Sequence, residues 1–142
     1  HIVDALIALF GPITSLTASS ERHILKIPLD DTTCFNLKFS KGISGYVSTS
    51  IATSRDWRIQ VLGNSGWAEM RGNNSLTISI RNEDKKTLNF DYVDSEREEL
   101  EAFSQAISGV KPYPVSLDEI VHATSVLEAV VESAKSNTQI NL

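Results

Sequence analysis

A histidine and an aspartate stand three residues apart at the start of the chain, in HIVDALIALFG. On a helix that spacing puts His1 and Asp4 side by side on one face. An imidazole titrates near neutral pH, and a neighbouring carboxylate fixes its tautomer and orientation, so the pair suits proton transfer. The same residues admit a plainer reading, in which Asp4 caps or solvates the helix and His1 merely precedes it. A second polar group follows at Thr53-Ser54-Arg55-Asp56, at the end of an alternating segment and just before Trp57. Arg55 there suits a hydroxyl or a carboxylate, although an arginine in a turn is ordinarily solvated. Trp57 and Trp67 flank the turn Gly63-Asn64-Ser65-Gly66 and offer faces on which a sugar ring can stack. Core packing is the expectation for both, because indoles bury large areas. His23 and His122 have no ligand spacing with each other or with Cys34, so no metal site is expected. His122 reads as a packed or surface residue.

Composition narrows the partners. The 142 residues carry 13 Lys+Arg against 18 Asp+Glu, a net charge of -5, with no block of like charge. That excludes the basic footprint of a nucleic-acid binder and a polybasic membrane anchor. No stretch approaches the roughly 20 apolar residues that span a bilayer, and no leader is visible. The single cysteine, Cys34, forms no internal disulfide. A soluble, cytoplasmic protein is expected, with small molecules or proteins as partners.

The elements that must position these residues are readable from periodicity. Ile2, Leu6, Leu9 and Phe10 recur at helical intervals, and Gly11-Pro12 stops the helix. From about Ile13 to Tyr92 the period is two. Phe35, Leu37 and Phe39 alternate with polar residues, as do Val47, Thr49 and Ile51, then Trp57, Ile59 and Val61, then Leu76, Ile78 and Ile80, then Leu88, Phe90 and Tyr92. Lys41-Gly42, Asn64-Ser65-Gly66, Gly72-Asn73-Asn74 and Asn82-Glu83-Asp84 supply hairpin turns. Connections this short cannot hold crossover helices, so five to seven antiparallel strands in one meandering sheet are predicted. Two helices follow, each with a capping box, at Ser95 to Glu98 and at Ser116 to Glu119. The first carries Leu100, Phe103, Ala106 and Ile107, and the second Ile120, Ala123, Leu127, Val130 and Ala134. Gln139 to Leu142 can add a last short strand. The prediction is a single α+β domain over residues 1–142, an open, predominantly antiparallel sheet with helices on one face. Tyr46, Ser48, Ser50 and Ala52 then form a polar, uncharged open face, suited to solvent, a ligand or a second copy of the sheet.

The order of these motifs resembles the C-terminal domain of the Gfo/Idh/MocA oxidoreductases, the family of glucose-fructose oxidoreductase and inositol dehydrogenase. The resemblance runs through HIVDALIALFG, DDTTCFNLKFSKGISGYVSTS, RIQVLGNSGWAEMRG and EREELEAFSQAISGVKPYPVSLDEIVHATSVLEAVVESAKSN. It implies a fold like the C-terminal domain of dihydrodipicolinate reductase, preceded in the whole enzyme by a Rossmann domain that binds NAD or NADP. It further implies that His1 is the catalytic histidine that handles the substrate hydroxyl proton while hydride passes to the nicotinamide. Asp4 is the carboxylate that follows it, an orienter of the imidazole or an acceptor of a substrate hydroxyl, and Asp4, Thr53 and Arg55 are substrate-binding. Inositol-oxidising relatives carry tyrosines where this chain has Thr53 and Arg55, so their substrate does not simply carry over. The family's Glu-Lys-Pro motif and any Gly-x-Gly-x-x-Gly turn are absent. The chain is therefore expected to hold no cofactor and to be inactive alone, and its expected substrate in the whole enzyme is a sugar or polyol. A homodimer or homotetramer through the open face is expected. The alternative from another class is a stand-alone open-sheet module that binds a small ligand or dimerises without redox chemistry.

Overall fold

The computed structural model describes all 142 residues. In chain order they form α1 (Ile2–Phe10), β1 (Ile13–Glu21), β2 (Thr32–Phe39), β3 (Ser44–Ser50), β4 (Arg58–Gly63), β5 (Gly66–Arg71), β6 (Ser75–Ile80), β7 (Lys86–Asn89), α2 (Ser95–Ile107), α3 (Leu117–Ser136) and β8 (Ile140–Asn141). The class is α+β, and every strand pair is antiparallel. The expected single meander is divided into two four-stranded sheets, β3-β2-β1-β8 and β4-β5-β6-β7. They belong to two compact units, residues 1–53 with 114–142, and residues 54–113. The division falls where residues 51–57 leave the ladder. No helix is long and apolar enough to cross a membrane.

The first unit holds the buried core. Phe35, Leu37 and Phe39 of β2 and Val47 of β3 point to the same side as Leu16 of β1. β1 carries an irregularity between Ile13 and Ser15, so Ile13 and Leu16, an odd number of residues apart, are both fully buried. One extra residue in a strand swaps the faces beyond it. Val3 and Ile7 of α1 and Ala123, Val126, Ala129 and Val130 of α3 cover this side. Phe10 meets Phe39 edge to face at 5.5 Å. The buried stripe of α3 is rotated from the expected one. Ala123, Val126, Ala129 and Ser133 face in, whereas Ile120 and Leu127 are exposed, because small residues let the helix lie close on β1.

Two polar side chains of α3 complete the hydrogen bonding of β1. His122 Nε2 accepts the Ile13 N–H at 3.0 Å, which requires its proton on Nδ1. Ser133 Oγ accepts the Ala18 N–H at 2.9 Å and donates to the Thr138 carbonyl at 2.6 Å. β1 meets β8 only at Ser15 and Leu16, so these N–H groups have no strand partner on that side. α3 begins with the expected capping box, Ser116 with Glu119, and ends at Asn137 in the left-handed conformation with φ 54°.

At the far end of β1 the buried side chain is charged. Asp31 is 2% exposed, and its carboxylate accepts the N–H groups of His23, Ile24 and Leu25 and the hydroxyl of Thr32. The donors from Leu25 and Ile24 chiefly hold this carboxyl well below the usual carboxylate range, against the opposing effect of burial. Its backbone N–H donates to the Glu21 carbonyl, and its carbonyl accepts the Ile51 N–H. One residue thus fixes both the loop after β1 and the exit of β3.

The second unit is built differently. None of its residues is fully buried; β5 and β6 are half-buried along their lengths, and Trp57 and Trp67, expected in a core, are half-buried too. α2 starts one residue earlier than expected, with Asp94 rather than Ser95 as its cap, accepting the Arg97 N–H. Leu100, Phe103 and Ile107 of α2 are exposed.

Replacing Ser133 by alanine strands the Ala18 N–H and the Thr138 carbonyl. We expect it to cost about 1–3 kcal/mol in urea unfolding, with the exposed Ser136→Ala change costing less than ~0.5 kcal/mol; equal costs would contradict the bridging role. Asp31→Asn should lower the thermal midpoint at pH 7. A carboxyl whose folded pKa is depressed stabilises fully above its unfolded pKa of about 3.9 and loses that contribution as pH falls toward the folded value. The gap between native protein and variant should therefore be constant from pH 5 to pH 7 and narrow below about pH 4.

Candidate functional site

α1 is positioned by Val3 and Ile7, which sink into the core and leave its first residue at the surface. His1 is the N-cap; its carbonyl accepts the Ala5 N–H, and its imidazole makes no capping bond. Asp4 is the third helical residue, and its carboxylate lies 3.5 Å from the His1 backbone nitrogen. A carboxylate there satisfies the helix start and its dipole. No hydrogen bond joins it to the imidazole, which stays free on the surface beside an acidic neighbour.

Thr53 closes the first unit. It ends the bend at residues 51–53, whose start is pinned by the Ile51 N–H on the Asp31 carbonyl, and it is exposed. Arg55 lies at the start of the second unit, one residue after Ser54, exposed and without an ion pair. It lines a surface cleft of about 400 Å³ with Asp56, Trp57, Asn73, Asn74 and Tyr92. His1 and Asp4 thus share one helix turn, while Arg55 belongs to a separate group of residues. Asn73, Asn74 and Tyr92 were readable in the sequence only as turn and strand residues; the signal was a pair of asparagines beyond the one residue with positive φ that the turn requires, which Gly72 supplies at φ 56°.

The open side of the first sheet is a shallow concavity of about 480 Å³ lined by Thr17, Ser19, Cys34, Asn36, Tyr46 and Ser48, none of them charged. Tyr46 is 76% exposed, and the free Cys34 thiol donates to Ser48 Oγ at 3.3 Å. No three of the His, Cys, Asp and Glu side chains come together as a metal site. A dinucleotide does not fit these elements either. Pyrophosphate binding uses a glycine-rich turn into a helix N-terminus between parallel strands, whereas both sheets here are antiparallel. Each helix, moreover, carries acid in its first turn: Asp4, then Glu96 and Glu98, then Asp118 and Glu119.

Comparison with solved structures places the fold. The oxidoreductase from Agrobacterium radiobacter, in complex with NAD+, L-tartaric acid and magnesium, superposes with a TM-score of 0.83 at 18% identity, over 99% of this chain and 46% of that one. The WlbA dehydrogenase from Bordetella pertussis, in complex with NADH and UDP-GlcNAcA, gives 0.78 at 20% identity, over 100% of this chain and 44% of that one. Aldose-aldose oxidoreductase from Caulobacter crescentus, complexed with glycerol, gives 0.81 at 17% identity, over 99% and 44%. The chain spans less than half the length of these proteins. At such identities the likeness is one of fold. Sequence comparison with curated proteins gives no match. The family described as the oxidoreductase family, C-terminal alpha/beta domain, matches residues 1–142 in full. With the α+β architecture in place, the chain belongs to the Gfo/Idh/MocA oxidoreductase family, as its C-terminal domain.

Proposed function

We propose that this chain is the substrate-binding and oligomerisation domain of a cytoplasmic NAD(P)-dependent oxidoreductase acting on a sugar, polyol or related hydroxy compound. The observation that carries the reading is the family match over residues 1–142, joined to a free imidazole at the exposed start of α1. Three proteins of the same fold are complexed with L-tartaric acid, UDP-GlcNAcA and glycerol, all hydroxyl-bearing compounds. Two of them carry NAD+ or NADH. The hydride acceptor belongs to a domain outside these residues, since the helix starts here repel phosphate.

The work left to this chain is proton handling and orientation. His1 takes the hydroxyl proton of the substrate, a task for which an imidazole is suited near neutral pH. Asp4 settles the helix start that carries it and accepts a substrate hydroxyl. Thr53 and Arg55 bind substrate oxygens. The centre of the open face, lined by uncharged residues, pairs with the same face of a second copy, because removing that centre from water strands no ionic group, while Lys38 and Glu21 lie towards the ends of their strands.

In the longer protein with its dinucleotide-binding domain, His1→Ala should lower kcat by about 10²–10⁴-fold with dinucleotide affinity unchanged. Full activity in that variant would refute the assignment. Tyr46→Asp should convert the assembled protein to smaller species in sedimentation velocity, since it buries a charge at the centre of the paired faces; an unchanged oligomer would rule that face out.

A further inference from the structure

The cleft of the second unit, which holds the proposed substrate residue Arg55, has the makings of a site for part of that substrate. Its walls are tied on both sides. The Gly72 N–H donates to the Trp57 carbonyl at 2.9 Å, and the Asn74 carbonyl accepts the Phe90 N–H at 2.8 Å. The hairpin tip between β5 and β6 is thereby fixed against the entry to β4 and the exit from β7. Main-chain bonds fix this tip, so the asparagine side chains are not needed to form the turn. Neither the Asn73 nor the Asn74 amide makes a hydrogen bond within the chain, and the same holds for the Trp57 indole N–H and the Tyr92 hydroxyl. Four uncommitted polar groups and two aromatic faces therefore surround one space. Its volume, about 400 Å³, lies in the roughly 300–1,000 Å³ range of small-molecule sites.

The charges around it are unequal in their freedom. Asp56 lies 3.8 Å from Arg71, and Arg71 is held at 2.8 Å by Glu69, whose hydrogen bond raises the guanidinium pKa further. Asp94, close by in sequence, is committed to capping α2. Arg55 has no carboxylate partner and is the one cation on the cleft wall. A guanidinium without a partner selects an anionic oxygen pair. Amides that both donate and accept suit vicinal hydroxyls, and aromatic faces take the apolar side of a pyranose ring.

From this juxtaposition we infer that the cleft formed by Arg55, Trp57, Asn73, Asn74 and Tyr92 binds a monosaccharide unit bearing an anionic group, a carboxylate or a phosphate. Arg55 holds the anion, the asparagines the ring hydroxyls, and Trp57 with Tyr92 the ring face. The inference rests on the proposed function for the hydroxyl-rich class of ligand. Its test requires neither dinucleotide nor turnover, so the two can fail separately.

The test is a titration of the 142-residue chain in its Trp67→Phe form, which leaves Trp57 as the only indole, with glucuronate, glucose 6-phosphate and glucose. Trp57 fluorescence and amide shifts in ¹⁵N-correlated spectra are the readouts. We expect saturable responses localised to Arg55, Trp57, Asn73, Asn74 and Tyr92, with Arg55→Ala weakening the preferred anionic sugar by about 10- to 100-fold and the already weak response to glucose by a smaller factor. Whichever of glucuronate and glucose 6-phosphate binds more tightly identifies the anion. Equal binding of all three sugars, an anion response that survives Arg55→Ala, or shifts confined to other residues would overturn the inference. Arg55→Lys, which retains the charge without the fork, should recover only part of the affinity. Since Arg55 is exposed and unpaired, an unchanged thermal midpoint will show that both variants remain folded.

Discussion

β1 depends on α3 for the hydrogen bonds that its sheet does not provide. It is paired with β2 along its length, but on the other side β8 reaches only Ser15 and Leu16. The N–H groups of Ile13 and Ala18 are met instead by His122 and Ser133. A buried donor left unpaired costs as much as a good hydrogen bond contributes, so these two polar residues on an otherwise apolar helix stripe fix α3 in both register and rotation. The small residues between them, Ala123, Ala129 and the fully buried Val126, let the helix settle onto Leu16. α1 then packs on what remains of that side through Val3 and Ile7, and the start of α1, with His1 and Asp4, is placed by the same contacts. The proton-transfer role proposed for His1 requires it to be held where a substrate will be, and that holding begins with two side chains about three helix turns apart on α3.

The opposite end of β1 is secured by a carboxylate. Asp31 gathers three successive N–H groups and a hydroxyl, and with its own main chain it joins the end of β1 to the end of β3. Thr53 leaves the first unit just past that junction. The residues assigned to substrate thus come from the ends of stiff elements rather than from their middles, as in many enzymes whose scaffold is rigid and whose chemistry sits at its margins.

Much of this was legible in the sequence. The period of two, the turn residues and the capping box at Ser116 each follow from local chemistry, and each appears in the structure. The division into two sheets was not legible, because alternation marks a strand without naming its neighbour, and the alternation runs on past Ser50 with little change of composition. The cap of α2 shifted to Asp94 because Asp94 and Ser95 are both good caps and only the observed backbone decides between them. Asp31 gave no signal, since its partners lie six to eight residues earlier and a neighbouring pair of aspartates reads as a turn. The rotation of the α3 stripe escaped for a related reason. Periodicity weighs Ile120 and Leu127 above Ala129 and Ser133, while close packing on a strand prefers the small residues. At the candidate site, His1, Asp4, Thr53 and Arg55 were visible by type, and the family resemblance supplied their roles. The asparagine pair and Tyr92 gain meaning only when the cleft brings them together.

A shared fold leaves activity open, since one architecture hosts many chemistries. On this fold the exposed start of α1 carries an imidazole whose acidic neighbour is turned to the helix start, leaving the ring free of capping bonds. The most direct test is a crystal structure of the longer protein with NAD(P)+ and a bound polyol or sugar. A substrate hydroxyl is expected at about 2.6–3.2 Å from the imidazole of His1, with the carbon that bears it facing the nicotinamide. A bound dinucleotide with His1 turned to solvent and no hydroxyl compound near it would contradict the central claim.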